Sequence, residues 1–156
     1  MIAWLARIDI SAALSPAQLF ATTFGVAFVS GFVPFVNIEA YLVTAVVLGG
    51  ASRSLSLVTA SALGQMAAKS LLYASGRGIL RLPFRRHLER MDEIRGRLAR
   101  HAGHGGALLF LSALVGFPPF YMISILAGTL RLPFALFLST GLLGRFLRFG
   151  LFAVFP

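Results

Sequence analysis

The stretch Gly31–Ala51 reads GFVPFVNIEAYLVTAVVLGGA. It is apolar almost throughout, yet it contains Pro34, Asn37 and Glu39. Proline lacks a backbone donor and discourages a straight helix. A carboxyl group inside a membrane-grade apolar run is costly and usually faces protein or water on a functional path. The stretch therefore favours discontinuous apolar helices that carry a binding site. The alternative is a proline-kinked transmembrane helix with Glu39 near the membrane surface.

The composition predicts an integral membrane protein. Its 156 residues make one domain, 1–156, the default, and 58% are hydrophobic while 12% are charged. So few charges could not cover the surface of a soluble domain. No cysteine is present, which excludes disulfides and thiol chemistry. The formal charge of +9 comes almost wholly from arginine, so anionic membrane lipids are the expected partners, and nucleic acid is not.

The first half predicts an interfacial segment followed by a broken apolar helix. Residues 1–14 mix apolar and charged side chains at helical spacing, which is typical of an interfacial helix, and no removable signal peptide is evident. Ser15, Pro16 and Gln18 form a capping-box pattern at a helix start. That helix is expected to run to about Val33, and a second apolar arm to end near Gly50.

Ser54–Gly76 is long enough to cross a membrane. Ser61, Gln65, Lys69 and Tyr73 recur four residues apart, so they share one helix face. Two orientations of the Lys69 side chain are consistent with the sequence. It snorkels toward the basic side of the membrane, or it faces the protein interior beside Glu39. The polar face that it shares with Gln65 favours the interior.

The segment 77–104 is the one clearly polar part of the sequence. It holds eight arginines and three acids, and its apolar residues follow a helical rhythm. We therefore predict a basic amphipathic helix on the cytoplasmic membrane surface. His101 and His104 lie among glycines, so a loop is expected there and no metal site.

The second half repeats the broken pattern. Pro118 and Pro119 split Gly105–Leu130 into two arms, each too short to cross a membrane, so the segment is a kinked helix or a hairpin. A second span, 133–156, follows. It carries small residues for close helix packing and two arginines that need partners or water: Thr140, Gly141, Gly144, Arg145 and Arg148.

The two halves align with each other. Gly31-Phe-Val-Pro-Phe35 matches Gly116-Phe-Pro-Pro-Phe120, and Gly64-Gln65 with Lys69 echoes Gly144-Arg145 with Arg148. Each half, 16–76 and 105–156, is thus a proline-broken hairpin followed by a spanning helix. Re-entrant hairpins would make the halves point in opposite directions. The predicted fold is an all-α integral membrane protein with an inverted repeat of two such units.

The sequence resembles the DedA family, also called VTT or SNARE-associated membrane proteins, and most of all its short YqaA-like branch. The resemblance lies in the order and spacing of these motifs: Pro34…Glu39, Gly49-Gly50, Gly64, Tyr73…Gly76-Arg77, Pro118-Pro119, Ala127-Gly128, Leu132-Pro133-Phe134 and Gly144-Arg145…Arg148. The resemblance covers roughly residues 24 to 149. It implies a multi-pass protein of the bacterial inner membrane that flips or transports lipids such as polyprenyl phosphate or phosphatidylethanolamine, with coupling to protons. Family members place arginines around the proline of the second hairpin, where this chain has Leu114 and Phe120. Lys69, Arg145 and Arg148 are our inferred replacements.

The candidate site therefore contains one acid, two amides and three cations: Glu39, Asn37, Gln65, Lys69, Arg145 and Arg148. Arginine suits phosphate oxygens, and a buried carboxyl group can carry a proton. We expect at least one cation within reach of Glu39. The alternatives are a non-transporting scaffold, whose buried charges fix helix register, and a small ion or solute transporter. No catalytic constellation, cofactor motif or metal motif is present, so an enzyme is not expected. A homodimer would enlarge the small buried core.

Overall fold

The computed structural model describes residues 15–33, 36–78 and 105–154. The predicted interfacial helix at 1–14, the first break at Pro34 and nearly all of the basic segment lie outside these residues. The described residues contain no strand, so the all-α prediction is confirmed for them. Their helices are α1 (Pro16–Phe32), α2 (Ile38–Gly49), α3 (Ser54–Gly76), α4 (Gly105–Val115), α5 (Phe120–Thr129) and α6 (Phe134–Val154).

Local sequence signals set most of these boundaries. The Ser15 Oγ accepts a hydrogen bond from the backbone of Gln18, and the Gln18 side chain accepts one from the backbone of Ser15. The predicted capping box at the start of α1 is therefore confirmed. Asn37 caps α2 in a similar way, because its side-chain oxygen accepts a hydrogen bond from the Ala40 N–H.

Only α6, with 21 residues, is both long and apolar enough to cross a membrane among the described helices. At about 1.5 Å per residue it reaches about 30 Å, the thickness of the hydrocarbon core. Helix α3 has 23 residues, so its predicted length is confirmed. Helix α3 is less apolar than α6, because polar side chains interrupt it along its length. The prediction of a clean span at Ser54–Gly76 thus holds for length and not for apolarity.

The chain forms two compact units. The first comprises Met1–Gln65 with Phe149–Pro156, and the second is Met66–Arg148. Helices α3 and α6 therefore each contribute to both units. The core of the first unit is aliphatic apart from Phe149: Leu19, Ala27, Ile38, Leu42, Val46, Leu57, Val58, Ala62 and Phe149. The core of the second is richer in aromatic rings: Met66, Tyr73, Leu109, Ala113, Phe120, Ile123, Ala127 and Phe137.

Helices α1 and α2 form a hairpin in the first unit. Thr23 lies nine residues before the end of α1 and Tyr41 three residues after the start of α2, yet their hydroxyl oxygens are 3.1 Å apart. A chain that kept its direction would separate these residues by more than about 15 Å. The chain therefore reverses between Phe32 and Ile38.

Helices α4 and α5 form a second hairpin, in the second unit. The side chain of Leu132, which follows α5, lies 3.4 Å from where a Cβ of Gly105, at the start of α4, would be. The chain has thus returned to its starting point, so the hairpin alternative is correct and the kinked helix is wrong. The turn Gly116–Pro119 starts with Gly116 at φ 86°, a left-handed conformation that favours glycine, and its Phe117–Pro118 bond is cis.

Candidate functional site

Two buried cations come together inside the second unit. Lys69 of α3 is 5% exposed and Arg145 of α6 is 7% exposed. The Lys69 Nζ lies 5.9 Å from the ring centre of Tyr121, and the Arg145 guanidinium lies 5.0 Å from that of Phe120. Aromatic faces attract cations at this range, more strongly away from water. Arg145 is also close enough to act electrostatically on Lys69. The prediction that Lys69 faces the protein interior is therefore confirmed, and snorkelling is excluded.

Arg148 lies beside the break of the second hairpin. Its Nη1 donates a hydrogen bond of 3.1 Å to the carbonyl oxygen of Leu114. The same nitrogen lies 2.8 Å from where a Cβ of Gly116 would be, so the turn glycine leaves space for the guanidinium. Arg148 is partly exposed. It thus brings a third positive charge to the turn that begins α5.

The arginines of α6 lie against the two apolar residues that flank the second proline break. Arg148 binds the backbone of Leu114, and Arg145 packs over the ring of Phe120. Helix α6 thus places positive charge on both sides of the second proline break. Helix α6 therefore supplies the positive charge, and Leu114 and Phe120 of the hairpin are apolar.

The start of α5 adds to the positive potential of this region. Pro119 precedes the helix and provides no side-chain cap, so the first N–H groups, those of Phe120 and Tyr121, receive no capping oxygen from it. A helix N-terminus carries partial positive charge and favours anions. The rings of these same two residues lie under Arg145 and Lys69. No Asp or Glu occurs in 66–78 or 105–148. Sequence reasoning missed this helix terminus, although a double proline before an apolar run signals it.

The remaining predicted site residues belong to the first unit. Asn37 is exposed and caps α2, and Glu39 follows in the first turn of that helix, partly exposed. A carboxylate there is favoured by the helix dipole. Gln65 is 5% exposed, and its Nε2 donates a hydrogen bond of 2.9 Å to the Ser30 Oγ. Glu39 and the three cations belong to different units. That a cation lies within ion-pair distance of Glu39 therefore stays a prediction.

The polar face of α3 is buried along its whole length, as its four-residue spacing predicts. Ser61, Gln65, Lys69 and Tyr73 are between 0% and 5% exposed. Ser61 and Gln65 belong to the first unit, and Lys69 and Tyr73 to the second. One helix face therefore supplies polar side chains to the interior of both units.

Gly64 and Gly144, which the alignment of the two halves pairs, make equivalent contacts in the two units. A Cβ on Gly64 would lie 2.4 Å from a carbonyl oxygen of α1 and 2.9 Å from the Ala27 Cβ. A Cβ on Gly144 would lie 3.0 Å from a carbonyl oxygen of α4 and 2.7 Å from the Ala113 Cβ. In each unit a glycine of the long helix thus lies against the first arm of the hairpin, as small residues in membrane helices do.

Helices α3 and α5 cross backbone to backbone, a feature that sequence reasoning missed. A Cβ on Gly76 would lie 1.9 Å from the Ile125 carbonyl oxygen, and one on Gly128 would lie 2.0 Å from that of Tyr73. The Tyr73 hydroxyl donates to the Leu132 carbonyl and accepts a hydrogen bond of 2.8 Å from Arg77. A glycine near the end of each helix permits such a close approach, but neither glycine specifies its partner.

No group of three or more metal-ligating side chains occurs within 15–33, 36–78 and 105–154. Comparison of the chain with protein families, with curated proteins and with solved structures finds no match. The function must therefore be argued from the contacts of the residues themselves.

Proposed function

We propose that this protein is a membrane lipid transporter of the DedA type, which moves a phosphate-bearing lipid across the bacterial inner membrane. The observation that carries the proposal is the pair of buried cations, Lys69 and Arg145, at the uncapped start of α5. A phosphate head group would accept hydrogen bonds from both side chains and from the first N–H groups of the helix. Arg148, at the adjacent turn, would stabilise the same negative charge.

Exposed apolar side chains on the helices support the membrane part of the proposal. Many large apolar side chains are exposed on the described helices, and on α6 they include Leu143, Leu147, Leu151 and Val154 at 45–70%. These four recur at three- and four-residue spacing, so they form one stripe along the helix. In water such a stripe would be an association hazard. Against lipid chains it is the expected surface of a spanning helix.

The proposal also includes the orientation of the chain in the membrane, the coupling to protons and the oligomeric state. Both hairpins would enter and leave the membrane by the same face, and the two repeats would have opposite orientations. The basic segment 77–104 would be cytoplasmic. Glu39 would change its protonation during transport and so couple the lipid to protons. A homodimer would complete the small buried core.

Purified protein in nanodiscs tests the lipid site. We expect Arg145→Gln and Lys69→Met each to weaken binding of polyprenyl phosphate at least about tenfold, which corresponds to ~1.4 kcal/mol. Arg131→Gln is the matched control, because Arg131 is exposed and lies in the same unit. Native mass spectrometry of co-purified lipid, together with transport assays in proteoliposomes, provides the measurement.

The outcomes separate the candidate functions. Loss of phosphate-lipid binding in both variants, with the control unchanged, supports the lipid site. Displacement of the lipid by inorganic phosphate alone would favour a small-solute transporter. If both variants bind and transport like the parent protein, the buried cations only fix helix packing and the scaffold alternative replaces our proposal.

A further inference from the structure

The interior of the first unit contains two side-chain oxygen atoms that make no hydrogen bond with the described part of the chain. They are the Ser61 Oγ and the Gln65 Oε1. Ser61 is fully buried and Gln65 is 5% exposed, and the two residues lie four apart on one face of α3. Residues at that spacing are neighbours on the helix surface. A buried polar atom without a partner is destabilising, so such atoms are rare and need an explanation.

The orientation of the Gln65 amide is fixed by its neighbour. Its Nε2 donates a hydrogen bond of 2.9 Å to the Ser30 Oγ, and the Ser30 hydroxyl donates one of 2.8 Å to the Ala27 carbonyl oxygen. The Ser30 hydrogen is thus already used, so turning the amide over would place two acceptors face to face. The Gln65 Oε1 is therefore left as an acceptor on the same buried face of α3 as Ser61, one helix turn away.

Ser61 also differs from other hydroxyls on these helices. Ser30, Ser124 and Thr129 each donate to a carbonyl three or four residues earlier, which satisfies the hydroxyl within its own helix. Ser61 makes no such bond. Its hydroxyl, which can both donate and accept, therefore lies one helix turn from the Gln65 carbonyl oxygen, so both oxygens can accept a hydrogen bond.

We propose that Ser61 and Gln65 form a buried acceptor site, which binds a group carrying N–H or O–H donors. Two neutral oxygens supply neither the charge nor the six or more ligands that a hard metal cation takes. A donor with two hydrogens matches both atoms at once. Such a donor has two sources. One is an ordered water molecule, which needs two to four polar partners, and the other is the donor-bearing end of a lipid head group. The second source rests on the proposed function, and the first does not.

Thermal unfolding in nanodiscs of two compositions tests the site. Phosphatidylethanolamine has N–H donors on its ammonium group, and phosphatidylcholine, which is fully N-methylated, has none. The variants are Ser61→Ala and Gln65→Met, alone and together. Ser56→Ala is the control, because it makes the same change at an exposed position of the same helix in the same unit. Ser61→Cys, which keeps the volume, replaces Ser61→Ala if that variant does not fold.

If water occupies the site, we expect Ser61→Ala to lower the Tm by about 3 °C in both lipids. The double variant should then lose less than the sum of the two singles, because both residues hold one molecule. If a head group occupies it, the parent protein is more stable in phosphatidylethanolamine than in phosphatidylcholine, and Ser61→Ala abolishes that difference. If Ser61→Ala leaves the Tm unchanged or raises it in both lipids, the site binds no donor and the proposal is wrong. Neither variant changes a charge, so anionic-lipid binding at Arg145 tests the proposed function separately.

Discussion

Replacing Gly64 by alanine is the sharpest test of how the first unit packs. The new Cβ would lie 2.4 Å from the Phe24 carbonyl oxygen, 2.9 Å from the Ala27 Cβ and 3.1 Å from the Phe28 nitrogen. Two of these atoms are backbone and the third is a Cβ, so none can rotate away. Contact distances are about 3.5 Å, so α3 would have to move by about 1 Å.

The size of the effect follows from two opposing terms. Overpacking of this kind costs ~1–3 kcal/mol or more, and alanine gains ~1 kcal/mol over glycine in a helix interior. Gly25 of α1 isolates the second term, because nothing lies within 4 Å of its Cβ position. We therefore expect Gly25→Ala to be neutral or stabilising and Gly64→Ala to be destabilising. The two variants should differ by the overpacking term alone, ~1–3 kcal/mol or more, which corresponds to about 2–12 °C or more in Tm.

Thermal melts of the two variants in one detergent, followed by circular dichroism at the helix band, measure this difference. Gly144→Ala in the second unit should repeat the effect with the same sign, since its Cβ would lie 2.7 Å from the Ala113 Cβ. A Gly64→Ala protein that melts together with Gly25→Ala, or above it, would refute the close approach of α3 to α1. It would also remove the structural support for the repeat.

Three further predictions concern function, orientation and the crossing of α3 with α5. Glu39→Gln keeps the shape of the side chain and removes its titration, so transport should fall and lose its pH dependence at normal expression; transport equal to that of the parent at every pH would make Glu39 structural. Cysteine at Arg95 should be shielded from a membrane-impermeant thiol reagent in living cells, and ready labelling from outside would reverse the topology. Tyr73→Phe removes a hydroxyl that serves both Leu132 and Arg77, so unfolding should become easier by ~1–3 kcal/mol in a chemical denaturation series; an unchanged midpoint would show that water replaces both bonds.

Signals local to the chain were sufficient to predict the elements of this fold. Ser15 and Gln18 placed the start of α1, and the doubled Pro118-Pro119 placed the turn between α4 and α5. The four-residue spacing from Ser61 to Tyr73 predicted a single buried face. Each of these depends on residues a few positions apart, whose geometry is fixed by the backbone of one element.

The parts that the sequence did not predict depend on where two helices meet. Nothing near Gly76 specifies that it approaches Ile125, and nothing near Gln65 specifies that it binds Ser30. Both follow from crossings between elements that are distant in the chain. The contact of Arg145 with Phe120 is similar, since the sequence indicated that α6 carries cations but not which ring of α5 lies beneath them. The relation of Glu39 to these cations is of this kind too and stays a prediction.

The composition of the two units has a consequence for the order in which this protein folds. Phe149 is fully buried in the core of the first unit, and the ribosome adds it after every residue of the second. The hairpin of α1 and α2 must therefore wait, with part of its apolar surface uncovered, until the late turns of α6 have been synthesised. The second unit takes all its residues from one continuous stretch, Met66–Arg148. A chain that ended before Phe149 would therefore keep every residue of the second unit, while the core of the first unit would lack its buried phenylalanine.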